Sequence, residues 1–385
     1  MIPDSISKGR SASLDVIRGV AILSVVAVHS FQQNIDLFPG NLIPNSSRIF
    51  VGFSYLRFGV ELFYLLSGWL IFSIYRSNTQ EGGKTYFSKR ATRIWPLWIV
   101  FSLVSFLFLI TQWGASPVAD RFIGDSAFQW IMGLMLVIFF LGWLTPELWN
   151  VPPGGWSIQV EVGHYALFWK FRKAKASTLL ITVLVGYLTY FIAVAVRDSN
   201  SWPWLSDFAE SWIRLGLYGT WPFFVAGGLA LIWFKSRKTP SDPSNNVISG
   251  YNLFLGSLIA TVLVTAIWIP IPFGMTYEAI TVSLVLLFAS WVFVKFRITL
   301  RFGVVFGKYS YFVYFAHFWI LALVVPIIFN LVKILGMNDS VSFWVSFVAS
   351  FAVTTTVSIA VAIPSWKYFE SRWINSARQP DLEKG

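Results

Sequence analysis

The chain has 385 residues, 56% of them hydrophobic and only 12% charged. With a mean hydropathy of +0.65 it is too apolar for a water-soluble globule, about a quarter of which is charged. The absence of cysteine excludes a disulfide framework, a thiol nucleophile and a Cys-based metal site, and no metal centre is expected. The net charge of +11 would suit a nucleic-acid partner, but the placement of the basic residues gives it another meaning.

Apolar runs long enough to cross a bilayer lie near 11–31, 57–75, 94–112, 127–144, 176–196, 209–234, 251–270, 277–295, 304–331 and 342–363. Twenty Trp and fourteen Tyr suit a protein with two water–lipid belts to populate. The first run lacks a small-residue cleavage site and is long enough to remain as a span, so a cleaved signal peptide is not expected. Basic clusters occur at Lys8/Arg10, Arg76 to Arg93, Lys170 to Lys175, Lys235 to Lys238, Lys295 to Arg301 and Lys367 to Arg378. With those loops and both termini in the cytoplasm, all but Arg48, Arg57, Arg121, Arg197, Arg214 and Lys333 of the 29 basic residues fall in the inner half. The outer loops then hold Asp36, Asp120, Asp125, Asp198 and Asp207. The positive charge is therefore membrane topology, and no nucleic-acid partner is expected.

A shorter apolar stretch, 156–169, creates a parity problem. Arg93 and Lys170 both belong inside, yet three apolar stretches separate them. One must dip and return or break within the bilayer, which is tolerated only where the backbone is buried in protein or lines a cavity. The short stretch is the expected candidate. The expected fold is an all-α integral membrane protein of about ten transmembrane helices with a re-entrant or broken segment near 150–169. No repeat or low-complexity tract is visible, so 1–385 reads as one domain, with cytoplasmic tails at 1–10 and 371–385 and no appended soluble domain.

Several spans carry residues that lipid does not tolerate without a reason. Arg18 and His29 lie eleven positions apart in the first run, about 20° from alignment on one helix face and about 16 Å apart along the axis. Glu61 opens the second run, and Gly68, beside Ser67, falls on its face seven residues on. Ser67-Gly68 reads equally as a close helix contact. Arg90 and Arg93 stand before Pro96 at the cytoplasmic mouth of the third run, where Pro96 suits a first helical turn. They are either topology anchors or a grip for phosphate, which a guanidinium binds with two parallel donors. After the loop Asn150 to Gly155, Trp156 opens a stretch in which Ser157, Glu161, His164 and Phe168 share a helical face. A salt bridge to Arg18 or another base would account for Glu161 without a catalytic task. His317, the third of three histidines, sits in the 304–331 run and reads by itself as a hydrogen-bonded core residue.

Together LDVIRG with His29 eleven residues after Arg18, GVELFYLLSGWLI, the Arg90/Arg93 pair, WSIQVE and SYFVYFAH resemble the acyltransferase 3 family, in this order and over about residues 12–370. Those are integral membrane acyltransferases that modify cell-surface sugars and polysaccharides. The resemblance implies acyl transfer, acetyl above all, from cytosolic acyl-coenzyme A as co-substrate, with no bound cofactor. The implied acceptor is a cell-surface glycan or lipid-linked saccharide beyond a bacterial cell membrane. Carried across, it marks Arg18, His29 and Glu161 as catalytic and Arg90, Arg93, Ser67 and Gly68 as donor-binding. Glu61, Trp156, Ser157, His164 and His317 remain secondary candidates. This chain departs from the family at Glu161-Val162-Gly163-His164, where a second acid followed by Gln-Phe is frequent, and at Val16, where Gly is frequent. A base such as His29 would take the acceptor hydroxyl's proton near neutral pH. A transporter or flippase without acyl transfer, or a non-enzymatic scaffold, are the competing classes.

Overall fold

The computed structural model describes residues 12–38, 50, 53, 55–75, 82–111, 127–144, 148, 150–198, 217–236 and 301–376, and no strand occurs among them. The runs 251–270 and 277–295 lie outside the described residues, as do 209–216. Helix α1 spans Ala12–Ile35, α2 Gly59–Tyr75 behind a 3-10 turn at Tyr55–Phe58, and α3 Gly83–Thr111. Helix α4 covers Ala127–Ile138, α5 Trp156–Phe171, α6 Ala176–Asp198 and α7 Leu217–Ser236. Helices α8 at Arg301–Lys308, α9 at Ser310–Ile334 and α10 at Asp339–Ser365 follow, then a π turn at Trp366–Glu370 and the short α11 at Ser371–Ser376. Among the described residues four stretches are long and apolar enough to cross a membrane: Leu14–Ile35, Gly83–Thr111, Ser310–Ile334 and Asp339–Asn375. Their outward faces are apolar, as at Leu107 and Phe108 on α3 and Leu323 and Ile327 on α9, while Ser346, Ser350, Thr354 and Ser358 of α10 are buried. This inside-out pattern is the one a bilayer solvates.

Three elements differ from the sequence reading. Helix α3 begins eleven residues before the apolar run 94–112, so Pro96 lies mid-helix, where it removes one backbone hydrogen bond, rather than in the first turn. The extension is amphipathic, with Tyr86 buried and Lys84 exposed, and an apolar window passes over such a stretch. The apolar run 127–144 is not one helix. Helix α4 has only 12 residues, about 18 Å of rise, and is followed by a turn with Phe140 at φ of 60° and a 3-10 turn at Gly142–Leu144. Helix α5 is unbroken over 16 residues. The run 304–331 is two helices rather than one, interrupted at Tyr309, where the Ser310 hydroxyl caps the Gly307 carbonyl at 3.0 Å.

The chain divides into two compact units, Met1–Ser73 with Ala226–Val361 and Ile74–Val225 with Ala362–Gly385. In the first, α1 packs against α8 and α9. A Cβ on Gly307 would come within 1.8 Å of the Asp15 carbonyl oxygen, and one on Gly19 within 2.4 Å of the Gly303 oxygen. Gly303 and Gly307, four residues apart, thus bring the α8 backbone onto α1, as small residues do between membrane helices. Beyond His29, Phe31 stacks on Phe53 at 4.4 Å and meets Phe343 edge-on at 5.5 Å, and the Ser346 hydroxyl donates to Asn34 Oδ1 at 2.5 Å. In the second unit, the turn before α5 is closed by the Gly154 N–H on Asn150 Oδ1 at 2.8 Å and the Gly155 N–H on the Pro152 carbonyl at 2.6 Å. That turn fixes where the polar face of α5 starts.

Candidate functional site

Helix α1 is unbroken from Arg18 to His29, so their shared face is real over its whole length. Arg18 is buried, and its Nη1 donates to Asp15 Oδ1 at 2.8 Å in an ion pair one turn away. A carboxylate at this spacing was available in the sequence as LDVIR, and the reading did not single it out. His29 is half-buried. Its Nδ1 lies 3.1 Å from Gln32 Oε1, and an amide oxygen only accepts, so Nδ1 holds the proton and Nε2 is the basic nitrogen.

The neighbour of His29 is His317. The two rings lie 5.4 Å apart between centroids and 31° from parallel, with Phe318 against both, at 4.3 Å from His29 and 4.4 Å from His317. Tyr314 lies 5.7 Å from His317. His317 is fully buried, and its Nδ1 lies 3.1 Å from the Val313 carbonyl, one turn back on α9. That acceptor puts the proton on Nδ1 and leaves a lone pair on Nε2, which is buried and meets no hydrogen-bond partner. The structure therefore joins His29 to a residue that, taken alone, reads as core.

Around Ser67 and Gly68 in the first unit the backbones approach closely. A Cβ on Gly227 of α7 would meet the Leu65 oxygen at 2.3 Å and the Trp69 nitrogen at 2.7 Å. Gly68 is buried and Ser67 half-buried there, an arrangement that suits close packing of α2 on α7. Glu61 is half-buried in the first turn of α2.

In the second unit the sequence-marked residues Arg90 and Glu161 are joined through tyrosines that the reading did not mark. Tyr165, one turn after Glu161 on α5, donates its hydroxyl to Glu161 Oε1. The Arg90 guanidinium lies 5.9 Å from the centre of the Tyr165 ring and 5.6 Å from that of Tyr75, and it donates to the Tyr75 hydroxyl at 3.3 Å. Tyr86 completes the wall: its hydroxyl donates to the Tyr165 carbonyl at 3.2 Å, and its ring stacks on Trp169 at 4.9 Å. The buried Arg90 Nε has no hydrogen-bond partner. Arg93 follows one turn later on α3, half-buried. The signal for the tyrosines was faint, an aromatic at i+4 from an acid and another at i−4 from an arginine.

The face of α5 expected to be polar is the buried one, with Ser157, Glu161, His164 and Phe168 all inside. Ser157 caps the Gly154 carbonyl at 3.4 Å, and Trp156 is half-buried beside it. His164 Nε2 lies 3.1 Å from the Thr220 hydroxyl of α7, and its ring packs on Phe224 at 5.1 Å and Trp221 at 5.7 Å. Among the described residues no three His, Asp or Glu side chains are grouped to hold a metal ion.

Helices with apolar outward faces among the described residues, with a half-buried and a buried imidazole in contact between two of them, define a membrane protein. A family model described as an acyltransferase domain matches residues 11–363 of the 385, and the chain belongs to that family, acyltransferase 3. It is by this membership a membrane acyltransferase. Neither a curated protein nor a solved structure matches the chain.

Proposed function

We propose that the chain transfers an acyl group, most simply acetyl, from cytosolic acyl-coenzyme A to a hydroxyl of a glycan or lipid-linked saccharide beyond the outer face of a bacterial cell membrane. The observation that carries this reading is His29: a half-buried imidazole on the first long apolar helix, with Nδ1–H held by Gln32 and Nε2 left basic. A hydroxyl that attacks a thioester must lose its proton, and a positioned base contributes about 10²–10⁴-fold in rate. In the proposed reaction the hydroxyl proton passes to His29 Nε2 as the oxygen bonds to the thioester carbonyl carbon. The carbon–sulfur bond then breaks and the proton goes to the departing thiolate.

Arg90 and Arg93 receive the phosphates of coenzyme A in this reading. It is supported by the unpaired buried Nε–H of Arg90 and by the basic segment around them. Arg18 organises the reaction helix through Asp15, and Glu161 holds its position through Tyr165. Both termini lie in the cytoplasm, as the basic loops require. A cysteine at exposed Asn338 should therefore react with an impermeant reagent in intact cells while one at exposed Ser177 stays protected. Equal labelling would reverse the orientation or change the crossing count.

The test of the reaction is mass spectrometry of cell-surface glycan from cells with the parent and the His29→Ala protein at matched membrane abundance. Loss of acylation in the variant is the expected result, and parent-level acylation would remove His29 from the chemistry. Purified protein that moves saccharide without consuming acyl-coenzyme A would be a carrier.

A further inference from the structure

We infer that His317 is a positioning base for the reaction centre: it accepts a hydrogen bond from His29 once His29 has taken the acceptor's proton. This rests on the reading of His29 as the base. Three observations carry it. The two rings are in contact, 5.4 Å between centroids. The proton on His317 Nδ1 is held by the Val313 carbonyl, so the ring cannot turn its donor toward His29 without losing that bond. The remaining Nε2 lone pair is buried, with no partner in the resting protein.

A packing role does not account for this arrangement. Phe312, Phe315 and Phe318 surround His317 in the sequence of α9, and a further phenylalanine would fill the same space without a buried unpaired nitrogen. An acceptor that is unpaired at rest gains a partner when a proton arrives nearby. That is the behaviour of a group whose interaction is stronger in the transition state than in the ground state. Tyr314 and Phe318 wall the pair, and Gln32 holds the far side of His29, so the imidazolium is flanked by its amide acceptor and by the His317 lone pair.

The step balances within the groups named. The acceptor O–H bond breaks and its proton goes to His29 Nε2 while the oxygen–carbon bond forms. The imidazolium N–H is held by His317 Nε2 through the tetrahedral stage. As the carbon–sulfur bond breaks, the same proton is delivered to the thiolate, and both imidazoles end neutral. His317 itself never touches substrate.

The experiment compares His317→Phe, His317→Gln, His29→Ala and the double variant His29→Ala with His317→Phe, purified in detergent, with acetyl-coenzyme A as donor. Gln can accept a hydrogen bond near the Nε2 position but cannot carry a proton. The expected result is a fall in kcat of about 10²-fold for His317→Phe with the donor KM little changed. His317→Gln should retain part of the loss. The double variant should be no slower than His29→Ala alone, because residues acting as a unit are not additive. If the single losses multiply in the double variant, or if KM and abundance fall with kcat, His317 is a packing residue and the inference is overturned. If His317→Phe fails to insert, His317→Leu, which also offers no acceptor, decides, since parent turnover in it overturns the inference. A His29→Ala protein with parent turnover would instead overturn the base assignment for His29.

Discussion

Arg18 of the first unit and Arg90 of the second are both guanidinium groups in helices long enough to cross a bilayer, and the protein accommodates them by different means. Arg18 lies against a carboxylate, Asp15, in a buried ion pair on its own helix. Arg90 is set among phenol rings, with Tyr75 and Tyr165 at 5.6 and 5.9 Å and a single hydrogen bond to the Tyr75 hydroxyl. Aromatic faces attract a cation without cancelling its charge, whereas a carboxylate cancels it. The first arrangement suits a structural tie within a helix packed by glycines. The second leaves the guanidinium charge uncancelled by its ring neighbours, which is why Arg90 rather than Arg18 is proposed to meet the donor's phosphates.

The largest effect should come from breaking the ion pair on one side only. Arg18→Ala removes the buried cation that pairs with Asp15 Oδ1, and the expected cost is about 3–5 kcal/mol, read as a lower midpoint of thermal unfolding in detergent. Removing both charges, Asp15→Asn with Arg18→Gln, should restore much of that loss. Equal damage in the single and double variants would mean that Arg18 is needed for more than its partner. Next in size is Gly307→Val, which pushes a side chain into the Asp15 carbonyl and should cost about 1–3 kcal/mol or more through overpacking. Its unfolding midpoint should fall while Gly336→Val, with open space around its Cα, suffers only from the left-handed backbone there.

In the second unit, Tyr165→Phe keeps the ring beside Arg90 and takes the donor from Glu161. It should cost about 1–3 kcal/mol through the lost hydrogen bond at this buried pair, with donor KM unchanged. Smallest is Arg90→Lys, which keeps the charge and gives up the planar contact with two rings, a change of about 0.5–2 kcal/mol in stability. A rise in donor KM for Arg90→Lys, measured with acyl-coenzyme A, would sharpen the contrast with Arg18. An unchanged KM would make Arg90 a structural cation like Arg18.

What could be read without coordinates follows a physical divide. The helical class, the shared face of Arg18 and His29, and the inward face of α5 depend on 3.6-residue periodicity and apolar length, which are local properties. The N-terminal extension of α3 was missed because an amphipathic turn with Lys84 and Lys89 does not raise the mean hydropathy of a window. The interruption at Tyr309 was missed because an apolar run carries no mark of where a helix bends to bring Gly303 and Gly307 onto α1.

The sequence by itself determined that this is a helical membrane protein of the acyltransferase 3 family, since span lengths and five ordered motifs are legible residue by residue. Only the tertiary structure decided who stands next to whom. His29 and His317 meet across 288 positions of chain because α1 and α9 pack together, and nothing local to either segment encodes the other. The same holds for Arg90, whose cage is drawn from Tyr75, Tyr86 and Tyr165 on three helices. Periodicity fixes the face a side chain shares within its own helix, but the partner opposite that face is chosen by the close approach of backbones.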